Sequence, residues 1–394
     1  MSNPSLTLHR PSFAAICLAG LIALAIAMGI GRFAFTPMLP LMIRAGSADV
    51  AAGGWLAAAN YAGYLLGALT TARLPLTPQR VGLLSLALIV ASTAAMGLTA
   101  SLPAWLLLRF VAGVTSAWAL VSTSVWCLAW LSRFDRPAGP GLLYAGVGAG
   151  IALAGLYCWR AGAADVGPDA LWLQLGALAL AGLAAVALLM PRGRSEASDA
   201  ASPASAAAGS SARAGGVPWG LVICYGLLGF GYILPATFLP VLARAVVDDP
   251  AVFGAAWPVF GAAAAVSTLF ASLALSRMAR RHVLAGSHAL MALGCLLPVL
   301  HLSALTVLLA ALLVGGTFMV ATMAGMQEAR ARRLGDPTRA LGRMTAAFAI
   351  GQMAGPMLSS LLSGSGSGFG GLFVALAIGA LALAGSAWWL ARAA

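Results

Sequence analysis

Long apolar runs separated by short polar segments are the dominant pattern along the chain. About 20 consecutive apolar residues cross the hydrocarbon core of a bilayer as a helix, and twelve runs approach or exceed that length. The pattern therefore predicts an all-α integral membrane protein with twelve transmembrane helices. These helices are predicted at residues 13–43, 52–72, 81–100, 103–131, 138–160, 169–190, 217–243, 252–275, 283–302, 304–330, 340–363 and 369–391.

Residues 191–216 interrupt this pattern, because they are rich in Ser, Ala, Gly and Pro and show no apolar periodicity. Such a composition is typical of a flexible linker. We therefore expect an N-terminal six-helix bundle at residues 1–190, a cytoplasmic linker, and a C-terminal six-helix bundle at residues 217–394.

The first helix of each predicted bundle carries a similar and unusual sequence. Residues 28–44 read MGIGRFAFTPMLPLMIR, and residues 228–244, 200 positions later, read LGFGYILPATFLPVLAR. Two copies of one unusual helix indicate two pseudo-symmetric halves. Between residues 20–45 and 220–245, the identical positions are Gly20, Leu21, Gly29, Gly31, Leu39, Pro40, Arg44 and Ala45.

Composition supports a membrane protein, since 61% of the residues are hydrophobic and 8% are charged, against about a quarter charged in soluble domains. The net charge of +12 comes from 22 arginines, because the chain has no lysine. In a soluble protein this charge would suggest nucleic acid, but here the arginines fall between the apolar runs. With the N-terminus inside, seventeen arginines lie on the inner side, three on the outer side and two within helices. This asymmetry predicts cytoplasmic termini in a bacterial inner membrane, with no nucleic-acid partner.

Two arginines within helices are the main candidates for chemistry. Arg32 lies near the middle of the first predicted helix, where a charge costs on the order of 3 kcal/mol or more. It either faces a wet cavity and contacts a solute, or it bonds backbone carbonyls and locks two helices together. The same alternatives stay open for Arg109 on the fourth helix, which is also a candidate for proton coupling. The predicted helices of the first half hold no acidic residue in their interiors, so a carboxylate or phosphate of the solute would suit these guanidinium groups.

Other polar and aromatic residues complete a candidate substrate-binding set. Asn60 and Tyr64 are four residues apart and share a helix face, and Tyr232 and Gln352 fall at a similar depth to Asn60. Each could contact the solute or form an interhelical hydrogen bond. The full set is Arg32, Phe35, Asn60, Tyr64, Arg109, Tyr232 and Gln352.

Glu328 is the only carboxylate near a predicted helix interior, at the inner end of the tenth helix. It is either a proton-coupling residue or an ion-pair partner of Arg330 or Arg332. The sequence contains no GxxxxGK[ST], HExxH or GxSxG motif, so we expect no enzymatic activity, no ATP hydrolysis, no cofactor and no metal.

Several motifs resemble the YbfB/YjiJ-type branch of the major facilitator superfamily. They are GIGRFAFTPMLPLM at 29–42, GWLAAANYAGYLLGAL at 54–69, LLRFVAGVTSAW at 107–118, GLLYAGVGAGIALAG at 141–155 and AIGQMAGP at 349–356. The resemblance implies two bundles that rock around a midplane site. It also implies that helices one, four, seven and ten line the cavity, with Arg32, Arg109 and Tyr232 on it.

The chain departs from that superfamily in two ways. The loop between helices two and three reads TARLPLTPQR at 71–80 and lacks the usual aspartate, and the cavity carboxylate of many proton-coupled members is missing. We expect a monomeric secondary active transporter that moves a small anionic or amphipathic organic solute by alternating access. If protons are co-transported, the acid group of the solute itself would carry them. The alternatives are an exporter of lipophilic drugs and a membrane sensor or scaffold that transports nothing.

Overall fold

The computed structural model describes residues 11–134, 136–190, 218–244, 246, 256–331, 336–363 and 370–392. Within these ranges the chain is helical and contains no strand, which confirms the predicted all-α class. The predicted linker at 191–216 lies outside the described residues. The helices are α1 Phe13–Arg44, α2 Val50–Thr70, α3 Pro78–Met96, α4 Leu102–Leu131, α5 Ala138–Ala163, α6 Pro168–Leu189, α7 Trp219–Arg244, α8 Ala256–Ala274, α9 Arg280–Leu300, α10 Ala304–Ala331, α11 Pro337–Ser363 and α12 Gly370–Arg392.

Ten of these described helices are long and apolar enough to cross a membrane, and α2 and α11 are the two that are not among them. Both are less apolar in sequence, since α2 carries Asn60 and two tyrosines, and α11 carries Gln352 and two arginines. The two helices pack against each other between the two halves of the molecule. Their polar groups are therefore placed where a partner helix, rather than lipid, can receive them.

Local capping residues set several helix ends a few residues away from the predicted ones. The Asp49 carboxylate accepts a hydrogen bond from the Ala52 amide at 2.7 Å, so α2 begins at Val50 rather than at residue 52. Thr77 and Pro78 start α3 earlier than predicted, and Gly97 ends it at Met96 rather than at residue 100. The Asp49 and Thr77 side chains accept hydrogen bonds from amides of the first helical turn, and Pro78 has no amide hydrogen that would need a partner there.

The repeated glycines of α1 and α7 make equivalent contacts in the two halves. Gly29 lies directly against the backbone of Gly150 in α5, and Gly229 lies against the backbone of Phe348 in α11. Neither position has room for a side chain, so the repeat is a packing requirement of the fold. The same pairing of the first with the fifth helix in each half is what a pseudo-symmetric six-plus-six arrangement requires.

The halves meet along two helix pairs, α5 with α8 and α2 with α11. In the first pair, Gly148 of α5 lies against the backbone of Ala265, and Gly261 of α8 lies against Ala152. Small residues let the backbones approach closely without hydrophobic side chains between them. Between these two seams lies a space that is lined by α1, α4, α7 and α10, as the resemblance implies, and also by α2, α5 and α11.

Large apolar side chains also cover the outer surface of the helices. Leu188 is 77% exposed, Leu381 is 74% exposed, and Phe270 on α8 is 65% exposed. Contiguous apolar surface of this kind is rare on soluble proteins. It suits contact with lipid, in agreement with the ten apolar spans.

One end of the molecule holds Arg73, Arg80, Arg133, Arg277 and Arg280, which all lie at or just beyond helix ends. We call this the arginine-rich end. Because successive spans alternate in direction, these residues share one side of the membrane. Four helices that contribute to the site begin at this end, namely α1, α5, α7 and α11. The position of a residue along any of them therefore measures its distance from the arginine-rich end.

Candidate functional site

A widened stretch of α1 builds the site. Residues Ala25–Phe33 form π-helical turns between two α-helical parts of the same span. Such turns misalign the backbone bonds of a helix and occur frequently at functional sites. Three carbonyls of this stretch are bonded from α4: Ser116 Oγ donates to the Ala27 carbonyl at 2.7 Å, and Arg109 donates to those of Gly31 and Arg32.

The Arg32 side chain leaves this widened stretch and crosses to the other half. Its side chain is only 3% exposed. Its Nη2 donates a hydrogen bond to Oε1 of Gln352 on α11, and its Cζ lies 3.7 Å from the ring centroid of Tyr64 on α2. A desolvated cation–π contact contributes about 2 kcal/mol, and a hydrogen bond from a charged group about 1.5–3 kcal/mol. These contacts offset part of the cost of burying the charge.

Several buried hydrogen-bonding atoms around Arg32 have no partner among the described residues. They are Nε and Nη1 of Arg32, Nε of Arg109, Nε2 of Gln352, the hydroxyl of Tyr232 and Oδ1 of Asn60. All of them except the Asn60 oxygen can donate, and the described carboxylates lie at or near helix ends rather than at this depth. A buried polar group without a partner costs about 1–3 kcal/mol. The site is therefore short of acceptors, and a ligand that brings acceptor oxygens would relieve that cost.

Arg109 has a different role, because both terminal nitrogens of its guanidinium bond the backbone of α1. Nη1 donates to the Gly31 carbonyl at 3.3 Å and Nη2 to the Arg32 carbonyl at 3.2 Å. The Cζ atom of Arg109 lies 4.5 Å from the ring centroid of Phe35. Asn60 Nδ2 donates a hydrogen bond to the backbone carbonyl of Arg109 at 3.0 Å. Arg109, Asn60 and Phe35 thus support the widened stretch that carries Arg32.

A small cavity lies beside Arg32, between the two halves. Its open volume is ≈ 10 Å³, which is room for about one water molecule. Phe33, the residue after Arg32, and Tyr64, whose ring the guanidinium covers, both line it. The opposite wall consists of Tyr225, Phe318 and Phe348 together with two threonines. Three methionines, Leu120 and Val147 complete the lining. The cavity is therefore an apolar space with the cationic group at its edge.

Contacts between the halves lie on both sides of this cavity. On the side of the arginine-rich end, Arg330 Nη1 of α10 donates to the Val125 carbonyl of α4 at 3.2 Å. On the opposite side, the Arg32 to Gln352 hydrogen bond joins α1 to α11. The small volume between these contacts corresponds to a closed arrangement of the two halves.

The predicted site residues separate into groups with different surroundings. Tyr64 is the member of the set that lines the cavity. Arg32 and Gln352 join the halves at its edge, and Tyr232 stacks on Phe318 with ring centroids 4.6 Å apart. Glu328 is half-buried toward the arginine-rich end of α10 and does not line the cavity.

The residues that sequence reasoning missed are mainly apolar. Phe33, Phe318, Phe348, Met319 and Met326 line the cavity, yet in the sequence they resemble any other apolar residue of a span. A depth comparison across helices would have found the aromatic ones, since Phe33, Phe318 and Phe348 fall near the middle of α1, α10 and α11. Periodicity alone could not separate them from lipid-facing residues such as Phe270.

Comparison with known proteins adds to this geometry. A family model described as "Uncharacterised MFS-type transporter YbfB" matches residues 24–389 of the chain. The solved structure of the human organic anion transporter MFSD10 (TETRAN) is similar in fold, with a TM-score of 0.69, 14% sequence identity, and coverage of 99% of this chain and 100% of that one. No curated protein matches the sequence.

The two buried arginines should respond differently to substitution. Arg109→Gln leaves the Gly31 and Arg32 carbonyls short of donors, at about 1–3 kcal/mol for each unpaired group, so the melting temperature should fall by several degrees. Arg32→Gln removes a buried charge with unpartnered donors, so the ligand-free melting temperature should stay the same or rise. Thermal unfolding of the purified variants, followed by tryptophan fluorescence, makes the comparison. An equal loss in both variants would assign Arg32 a structural role.

Proposed function

Because the chain belongs to the YbfB-type family of major facilitator superfamily transporters, we propose that it is a secondary transporter for a small organic anion with an apolar body. The solute binds between the two halves at Arg32 and crosses by alternating access, which is typical of this fold. One observation carries the proposal: the Arg32 guanidinium is buried at the edge of the cavity with Nε and Nη1 unpartnered among the described residues.

The charge of the solute follows from the balance of donors and acceptors. Arg32 and Gln352 offer N–H groups, and Tyr232 offers a hydroxyl, in a place without a described carboxylate at the same depth. A cationic solute would add charge repulsion to that excess, and a neutral apolar solute would leave the donors unpaired. A carboxylate, sulfonate or phosphate supplies the acceptor oxygens, and a guanidinium binds such groups through two parallel hydrogen bonds.

The body of the solute follows from the cavity lining. Phe33, Phe318 and Phe348 provide aromatic surface, and three methionines provide adaptable apolar surface. Methionine side chains are flexible and adjust to irregular shapes. A small, strongly hydrated anion such as inorganic phosphate would gain nothing from this lining, so the anion is expected to be organic.

Solute binding and the movement of the halves share one group in this proposal. Arg32 Nη2 holds Gln352 across the interface, and the acid group of the solute would compete with Gln352 for the guanidinium. Loss of that bond frees α1 from α11 on the side away from the arginine-rich end, while Arg330 and Val125 stay joined on the other side. If the bond between Arg330 and Val125 opened instead, while Arg32 and Gln352 were joined, the solute would be released on the side of the arginine-rich end.

The known activity of the fold neighbour agrees with the proposed negative charge of the solute, but it is not the evidence for that charge. MFSD10 (TETRAN) is an organic anion transporter, and at 14% identity the likeness extends to the fold alone. We further propose that the chain acts as a monomer in the bacterial inner membrane, with the arginine-rich end and both termini in the cytoplasm. Nucleic acid is not among the proposed partners.

Export of lipophilic drugs is the second candidate function. The apolar and methionine-rich lining of the cavity favours it, because surfaces of this kind bind varied partners. Under that function neutral or cationic lipophiles would compete for the site, and Arg32→Gln would leave binding unchanged. A sensor or scaffold that transports nothing would show no uptake into proteoliposomes.

A screen of organic anions on the purified protein tests the role of Arg32. Anions that bind raise the melting temperature of the wild type, and the same anions should bind Arg32→Gln about 10- to 100-fold more weakly, because a charge-assisted hydrogen bond is lost. Arg44→Gln is the matched control, since Arg44 belongs to the same helix, is exposed, and bonds the Gly162 carbonyl at 3.0 Å. If the anions stabilised the wild type and both variants equally, Arg32 would not be part of the binding site.

Proton coupling is proposed to use the acid group of the solute, which would cross in its protonated form. Uptake of a labelled carboxylate into proteoliposomes should then rise when the outside is made acidic, beyond the passive uptake of protein-free liposomes. Glu328→Gln should keep this dependence, and Arg109 would act only as a support. Uptake that does not depend on the pH gradient would contradict proton coupling. If the pH dependence disappeared in Glu328→Gln, Glu328 would be the residue that carries the proton.

A further inference from the structure

A row of aromatic rings runs through the C-terminal half beside the cavity. We define the aromatic row as Trp257, Phe260, Phe318, Tyr232 and Phe348. Consecutive centroids are 5.3, 5.7, 4.6 and 5.9 Å apart, and consecutive ring planes differ by 4°, 25°, 16° and 23°. The rings are therefore close to parallel, in the offset stacking that aromatic pairs favour.

Phe33 of the N-terminal half faces this row. Its centroid lies 6.4 Å from that of Phe318 with the planes at 80°, and 6.4 Å from that of Trp257 with the planes at 58°. Phe33 and Phe318 both line the cavity. Phe33 also follows Arg32 directly in the chain, so the ring contact between the halves lies next to the guanidinium.

Separation of the halves would divide these rings in a defined way. The aromatic row belongs to α7, α8, α10 and α11 of the C-terminal half, whereas Phe33 and Arg32 belong to α1 of the N-terminal half. The space that opens between Phe33 and Phe318 is therefore aromatic on both sides and cationic at one edge. The Tyr232 hydroxyl, which has no partner among the described residues, belongs to the ring stacked on Phe318.

We propose that the transported anion carries a planar aromatic ring, which is held between Phe33 and Phe318 while its acid group pairs with Arg32. This inference rests on the proposed function and narrows its substrate class to aryl carboxylates and similar aromatic acids. Phe33 and Phe318 are then specificity-determining residues, because they distinguish the ring of the solute from a saturated body of equal size.

A planar ring suits the gap better than a saturated ring for two reasons. It is thinner, so a smaller separation of Phe33 from Phe318 admits it. Its π-face and its edge can also replace the edge-to-face contact that Phe33 makes with Phe318 in the closed arrangement, where the two ring planes lie at 80°. Such contacts strengthen binding by about two- to tenfold beyond the effect of buried area.

Phenylacetate and cyclohexylacetate form a matched pair of probes, because they share the acid group and differ in the ring. Titration calorimetry on the purified full-length protein should give phenylacetate a dissociation constant about two- to tenfold lower. In Phe318→Leu the ratio should fall to about one, through weaker binding of phenylacetate. Phe270→Leu is the control, since Phe270 lies on the exposed surface of α8 and should leave the ratio unchanged.

The outcomes separate this inference from the proposed function. If both acids bind the wild type equally, or if Phe318→Leu keeps the wild-type ratio, the aromatic specificity is wrong while an organic-anion site remains. If neither acid binds the wild type, the inference fails together with the proposed anion class. Should Phe318→Leu fail to fold, Phe33→Leu removes the opposite ring from the other half and should lower the ratio in the same way.

Discussion

The buried guanidinium of Arg32 is the constraint on which the rest of the structure depends. A charge at this depth is tolerated only if the protein supplies partners for it, and here the partners come from both halves. Tyr64 of α2 offers the face of its ring, and Gln352 of α11 offers an amide oxygen. These partners leave Nε and Nη1 of Arg32 without a hydrogen bond among the described residues. The closed arrangement therefore stabilises the charge only in part, and two donors stay available to a ligand.

The shape of α1 is adjusted to this group. The π-helical turns of Ala25–Phe33 change the direction in which Arg32 leaves the helix, and Ser116 and Arg109 of α4 bond the carbonyls of these turns. Gly29 lets α5 approach closely on the other side. A glutamine or lysine at position 109 could not bond two carbonyls in the same geometry, which is why an arginine serves as a structural residue there.

The two halves contribute different chemistry on similar scaffolds. Tyr232 occupies in α7 the position that Arg32 occupies in α1, 200 residues earlier, and α7 is a regular helix throughout Trp219–Arg244. The N-terminal half therefore supplies the cation, and the C-terminal half supplies the aromatic row. A site assembled from such halves suits a solute that has a charged end and an apolar end.

Apolar length in the sequence predicted most of the spans, although α2 and α11 are less apolar than the other ten. The sequence also identified Arg32, because a charge in hydrocarbon is conspicuous. It could not predict that Asn60 bonds the Arg109 carbonyl, or that Arg109 bonds α1. Such pairings depend on the rotation of each helix, which the π-helical turns alter locally. Likewise, Phe318 beside the cavity and Phe270 on the lipid-facing surface belong to equally apolar helices, so only packing distinguishes them.

A structure of the protein determined with a bound organic carboxylate would test the central claim most directly. The account predicts that the carboxylate oxygens lie within hydrogen-bonding distance of Nε or Nη1 of Arg32, with the bond to Gln352 broken. A carboxylate bound elsewhere, with Arg32 still bonded to Gln352, would contradict it.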